Sequence, residues 1–112
     1  MEPKRQMRAM ISQPMNGYTE FEIVQTRERC IKALSDNGYV VVNTLFTDEW
    51  YSEKSMLERG VVNRPLCFLA KSLENMCLCD TVYFAKGWEN ARGCRVEHAA
   101  AKAYGLEIIY ER

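Results

Sequence analysis

A chain of 112 residues suffices for one domain that buries roughly 65% of its unfolded surface, and it is too short for two. Lys plus Arg and Asp plus Glu both number 15, so the formal net charge is zero and no bulk attraction to a nucleic acid polymer or an anionic membrane is expected. With 47% hydrophobic and 27% charged residues, an intrinsically disordered chain is excluded.

Residues 1–6 read as a polar tail rather than a signal peptide, and 7–112 as a single domain. No apolar run approaches the roughly 18–20 residues of a membrane span, so the expected location is cytoplasmic. Met7 to Ser12 is the first predicted strand. Thr19-Glu20-Phe21-Glu22 is a capping box that opens a helix, with Phe21, Val24, Glu28, Ile31 and Leu34 on successive turns and Gly38 suited to its C-terminal cap. Tyr39 to Val42 reads as a β-branched strand covered on both faces, as parallel strands are.

The stretch from Thr44 to Arg64 is long for a connection, which points to a functional loop, a short extra helix or partial disorder. Its Asp48-Glu49-Trp50-Tyr51 cluster suggests a lid that lays an aromatic ring on a ligand; a static packed loop is the alternative. Pro65 opens the next helix, with Leu66, Leu69, Leu73 and Met76 as its packed stripe. Five cysteines, an odd number spread through apolar segments, argue for reduced thiols. Cys77-Leu78-Cys79 lacks the spacing and partners of a zinc site, so no metal is expected.

Asp80 ends the helix, Thr81 to Ala85 forms a buried strand, and Gly87 to Gly93 forms a turn. Cys94 to Tyr104 is a helix ended by Gly105, and Leu106 to Tyr110 is the last strand. Alternating strands and helices with right-handed crossovers predict an α/β fold, a parallel four-stranded sheet in order 2-1-3-4 between helices. That order places a topological switch point between the first and third strands, where open α/β sheets bind ligands at strand C-termini. Ser12 to Gly17, Asn43, Thr44 and Gly87 to Gly93 are delivered there.

Ser12-Gln13-Pro14-Met15-Asn16-Gly17 presents hydroxyl, amide and backbone N–H groups that suit an anion or a ribose, although an ordinary Pro/Asn-Gly turn has the same composition. Trp88 to His98 is the densest polar segment. There Val96, Ala99, Ala100 and Ala103 are the expected sheet-facing side, Arg95, His98 and Lys102 the solvent side, and Glu97 lies between them. In the first turn of its helix Glu97 would be held ionised by the dipole, as a carboxylate nucleophile requires and as a helix-charging residue equally would be. Cys94 and His98, one turn apart, form a further candidate nucleophilic pair, and Trp50, Tyr51 and Trp88 are candidates to stack a flat base.

Met10 to Gly17, the segment Lys71-Ser72-Leu73-Glu74-Asn75-Met76, and Cys79 to Gly105 with Gly-Trp-Glu-Asn-Ala-Arg-Gly-Cys-Arg-Val-Glu-His at its centre resemble the nucleoside 2-deoxyribosyltransferase-like family, most closely a branch found largely in bacteria and phages. The resemblance implies a flavodoxin-like three-layer sandwich acting on N-glycosidic bonds of nucleosides or nucleotides. The family's catalytic glutamate stands four residues past a glycine, a spacing repeated from Gly93 to Glu97. By that resemblance Glu97 attacks the anomeric carbon, the base departs, and a second base or water resolves the glycosyl-enzyme. The chain departs from the family at Ser72, where catalytic members usually carry aspartate, at Ala91, where many have Asp or Ser, and at Met10, in place of a tyrosine. Glu89, Asn90, Asp48 and Glu49 are the candidates to replace the missing proton donor.

The expected function is that of a deoxyribosyltransferase or hydrolase, with Glu97 as nucleophile and sugar and phosphate held by Ser12, Gln13, Pro14, Met15, Asn16, Gly17, Gly87, Trp88, Glu89, Asn90 and Gly93. The alternative is a noncatalytic protein that binds or sequesters a nucleotide derivative. The expected partner is a nucleoside, nucleotide or nucleotide-derived small molecule, with no cofactor. Because the first and third helices carry apolar residues beyond those the sheet needs and relatives pair subunits, a homodimer or higher homo-oligomer is expected.

Overall fold

The computed structural model describes residues 6–42 and 49–112. Four strands, β1 (Arg8–Ser12), β2 (Val40–Val41), β3 (Thr81–Phe84) and β4 (Glu107–Tyr110), form one sheet in the order β2-β1-β3-β4. All three pairings are parallel, with Ala9 opposite Thr81 and Thr81 opposite Glu107. Helices α1 (Glu20–Asp36), α2 (Glu53–Glu58), α3 (Arg64–Met76) and α4 (Arg92–Ala103) complete an α/β, flavodoxin-like three-layer sandwich.

The period of two along each strand divides the core. Ala9, Ile11 and Tyr83 pack with Cys30 and Leu34 of α1, whereas Met10, Val82 and Phe84 pack with Met76 of α3 and Ala101 of α4. The predicted capping box forms: Thr19 Oγ1 accepts from the Glu22 N–H at 3.1 Å and Glu22 Oε1 accepts from the Thr19 N–H at 2.9 Å. Gly38 takes φ +84 just past the helix, the left-handed conformation its place demands. Pro65 lies in the first turn of α3, and Asn63 caps that helix by accepting from the Leu66 N–H at 3.0 Å. Asp80 does more than stop a helix, because its carboxylate accepts from the Arg8 N–H at 2.9 Å and fastens β1 beside β3.

Three expectations are corrected. The α1 stripe is short: Cys30 and Leu34 are buried with Ile31 beside them, while Phe21 is 70% and Val24 48% exposed. β2 has only two residues and sits at the sheet edge, paired with β1 alone, so Val40 remains exposed instead of covered. In α4 it is Cys94, Glu97 and Ala101 that are buried, whereas Val96, Ala99 and Ala103 are exposed. The long connection does hold a short extra helix, α2, after a 3₁₀ turn at Glu49–Tyr51.

Candidate functional site

A cavity of about 560 Å³ opens at the C-terminal ends of β1 and β3, where the order of strand connection reverses. Its walls come from three segments: the β1–α1 loop, the first half of α3, and the β3–α4 connection running into α4. Of the residues predicted from sequence, Gln13, Pro14, Met15, Asn16, Gly87, Asn90, Gly93 and Glu97 line it. Ser12, Gly17, Trp88 and Glu89 do not. Ser12 is fully buried behind the wall, and Gly17 supplies a left-handed turn with φ +88. Trp88 turns away to stack on His98, with ring centroids 4.2 Å apart, because Phe84, His98 and Tyr110 offer it an aromatic cluster. Glu89 is exposed, and its backbone carbonyl accepts from Arg95 Nη1 at 3.0 Å.

Glu97 is 8% exposed and lines the cavity. Because α4 begins at Arg92, two residues before the predicted start, Glu97 is its sixth residue and lies beyond the first turn. The helix dipole therefore does not govern its charge. Burial pushes the carboxyl up to about 6, and the nearby Ser12 and Ser72 hydroxyls act in the opposite direction. Ser12 Oγ influences Glu97 without reaching hydrogen-bond geometry with any group, so it remains a buried hydroxyl with no partner. Gln13 is similar: its Nε2 donates to the Ile23 carbonyl at 2.7 Å, which fixes the amide orientation and leaves Oε1 buried and unpaired.

The candidate pair Cys94 and His98 is not assembled. Burial pushes the Cys94 thiol up to about 11, so it stays protonated at neutral pH, and Cys94 faces Ser12 and Glu97. His98 lies on another side of α4, where its Nε2 and the Tyr110 hydroxyl are 2.6 Å apart. Nor do the aromatics of the long connection reach the cavity. The Arg59 guanidinium lies over the Trp50 ring at 4.0 Å, and Tyr51 is buried with Lys71 Nζ at 5.4 Å from its ring. Within residues 49–59 only Tyr51 and Met56 are buried, and Trp50 is 55% exposed. Asn43, Thr44 and Asp48 lie outside the described residues.

Sequence reasoning missed Tyr18, Phe68 and Leu69 as lining residues; Arg95, expected on a solvent face, is exposed and also borders the cavity. Tyr18 packs on Gly87, which takes φ +88: a Cβ there would stand 3.3 Å from Tyr18 Oη, so a side chain at 87 would press on the phenol oxygen. Arg92 and Arg95 both line the cavity beside the start of α4. That helix has Ala91 at its N-cap and no side chain satisfying its first-turn N–H groups. Two guanidinium groups and free helix N–H donors make this end of the cavity suited to an anion. Among the described residues no three His, Cys, Asp or Glu side chains gather as a metal site, and burial together with Asp80 pushes the Cys79 thiol up to about 11.

A family model for a domain of unknown function, DUF4406, matches residues 7–110. The chain belongs to the DUF4406 family. No curated protein and no solved structure matches it. The match spans all three segments that wall the cavity, so the candidate site lies wholly within the DUF4406 domain. No helix of the described residues in this DUF4406 protein is long and apolar enough to cross a membrane.

Proposed function

We propose that this DUF4406 domain acts on the N-glycosidic bond of a nucleoside or nucleotide, as a deoxyribosyltransferase or a hydrolase, with Glu97 as nucleophile. The observation that carries the reading is a carboxylate buried at 8% exposure that nonetheless lines a 560 Å³ cavity and has no cation paired with it. Such a group is costly to keep ionised, and carboxyls raised by burial within a cleft are concentrated at functional sites. The resemblance to nucleoside 2-deoxyribosyltransferase-like proteins, carried by the Gly93 to Glu97 spacing, supplies the reaction. One Glu97 oxygen attacks the anomeric carbon and the base leaves. Water or a second base then displaces the carboxylate. In this reading Gln13 and Asn16, which line the cavity, hold the sugar, and Arg92, Arg95 and the α4 N-terminus hold a phosphate.

A second reading is favoured by Ser72, which occupies the cavity wall near Glu97 where the related enzymes usually carry aspartate. In that reading the domain binds and sequesters a nucleotide derivative without turning it over. Chromatography of nucleoside and nucleotide mixtures for released base, alongside thermal shift on the same mixtures, separates the two. Base release that disappears in Glu97→Gln with ligand binding retained supports the enzyme, since loss of a nucleophile removes transition-state stabilisation rather than affinity. Binding without base release supports the sequestering protein. The reading extends to assembly as a homodimer, on the strength of Phe21 and Val24 of α1 and Val96 of α4, all exposed.

A further inference from the structure

The acid–base inventory of the cavity is short. Glu97 is the only carboxylate lining it among the described residues, and no imidazole lines it. Glu89 is turned out to solvent, and Glu49 lies in an exposed turn away from the walls. The other ionisable groups of the lining are Arg92, Arg95, the Cys94 thiol and the Tyr18 phenol. Glu97 must be ionised to attack, so it has no proton to give in the same step. A neutral purine or pyrimidine leaves an anomeric carbon easily only when a general acid protonates it, and that assistance is worth roughly 10²–10⁴ in rate.

Resting on the glycosidic reading above, we infer that the substrate of this site is an N-ribosylpyridinium nucleotide, whose base is cationic in the ground state and departs neutral without receiving a proton. The bonds balance without a second acid. A Glu97 oxygen forms the bond to C1′ as the C1′–N bond breaks, and the electron pair goes to the ring nitrogen, turning the pyridinium into a neutral pyridine. Water then attacks C1′, the ester bond returns its pair to the Glu97 carboxylate, and the proton of that water passes to solvent. The charge pattern of the cavity agrees with such a ligand. A single anionic group stands near the reacting carbon for the cationic ring, and Arg92 and Arg95 stand by the uncapped start of α4 for its phosphate. Phe68, Leu69 and Pro65 give an apolar wall for a flat ring.

The test uses the full chain with nicotinamide mononucleotide, with adenosine 5′-monophosphate as the neutral-base comparison and with reduced nicotinamide mononucleotide as the uncharged isostere. Nicotinamide release is expected at a kcat/KM about 100-fold or more above adenine release, and it is expected to vanish in Glu97→Gln. In thermal shift the oxidised mononucleotide should stabilise the wild type more than the reduced form does, and Glu97→Gln should abolish that difference. Adenine release at a rate equal to or above nicotinamide release overturns this inference while leaving the glycosidic reading intact. If such release falls in Tyr18→Phe, the phenol is the acid that the inference says is lacking. Absence of base release from all three compounds overturns both the inference and the catalytic reading. Equal stabilisation by the oxidised and reduced forms removes the electrostatic half of the inference.

Discussion

Glu97 sets a cost at the level of one side chain. Its carboxyl is raised from 4.5 to about 6 in the folded state, chiefly by burial, so folding favours the protonated form. The resulting stabilisation is fully present below pH 4.5 and is lost as pH rises through about 6, leaving the fold with an unfavourable buried charge above that. A shift of this size corresponds to about 2 kcal/mol. Glu97→Gln is therefore expected to be more stable than the wild type by up to about 2 kcal/mol at pH 7–8, with the gap closing below pH 4.5, as measured by denaturant melts across pH. The groups facing it are the hydroxyls of Ser12 from β1 and Ser72 from α3 and the protonated thiol of Cys94 from its own helix, none of which brings a compensating charge. For the catalytic reading the same value predicts that kcat/KM for base release rises about tenfold per pH unit below 6 and levels off above it.

At the level of elements, α4 forgoes stability where the cavity needs open donors. Ala91 leaves the first-turn N–H groups without a side-chain cap, so Ala91→Ser is expected to stabilise the domain by about 1 kcal/mol in thermal or denaturant melts. Arg92→Ala, on the adjacent exposed position, should weaken binding of a 5′-phosphorylated nucleotide about tenfold or more while leaving the melting temperature near the wild-type value, as checked by calorimetric titration. Gly87→Ala is expected to cost about 1–2 kcal/mol, since φ +88 is unfavourable for an L side chain and the new methyl would press on Tyr18 Oη. The sequence revealed α4 as a helix and Glu97 as its special residue, but not which way the helix is rotated. Apolar periodicity assigns Val96, Ala99 and Ala103 to the sheet, and here the buried side instead carries Cys94 and Glu97, because the wall of a cavity breaks the rule that polar residues face water. The α1 stripe misled in the opposite sense, since Phe21 and Val24 match helical spacing yet lie past the edge of the sheet's cover.

For the whole molecule, strand order was legible because short β-branched runs alternate with capped helices and right-handed crossovers leave few arrangements. The lining contributed by Tyr18, Phe68 and Leu69 was not, because proximity across three chain segments leaves no trace in local spacing. The apolar residues left exposed on α1 and α4 belong to the same scale. A mass of twice the chain by light scattering is expected, falling to one chain in Phe21→Ser; a concentration-independent monomer would remove the dimer. The central place of β1 also bears on how the molecule comes into being. Its edge facing β3 stays unsatisfied until a partner 72 residues downstream arrives, and the Asp80 carboxylate that clasps Arg8 comes from the same late segment. A chain stopped short of residue 84 thus holds the Gln13 loop and α3 without the wall that the β3–α4 connection supplies. Any ligand of the cavity is thus expected to bind only once that segment is in place, and refolding should be governed by the slow closure of that one long loop.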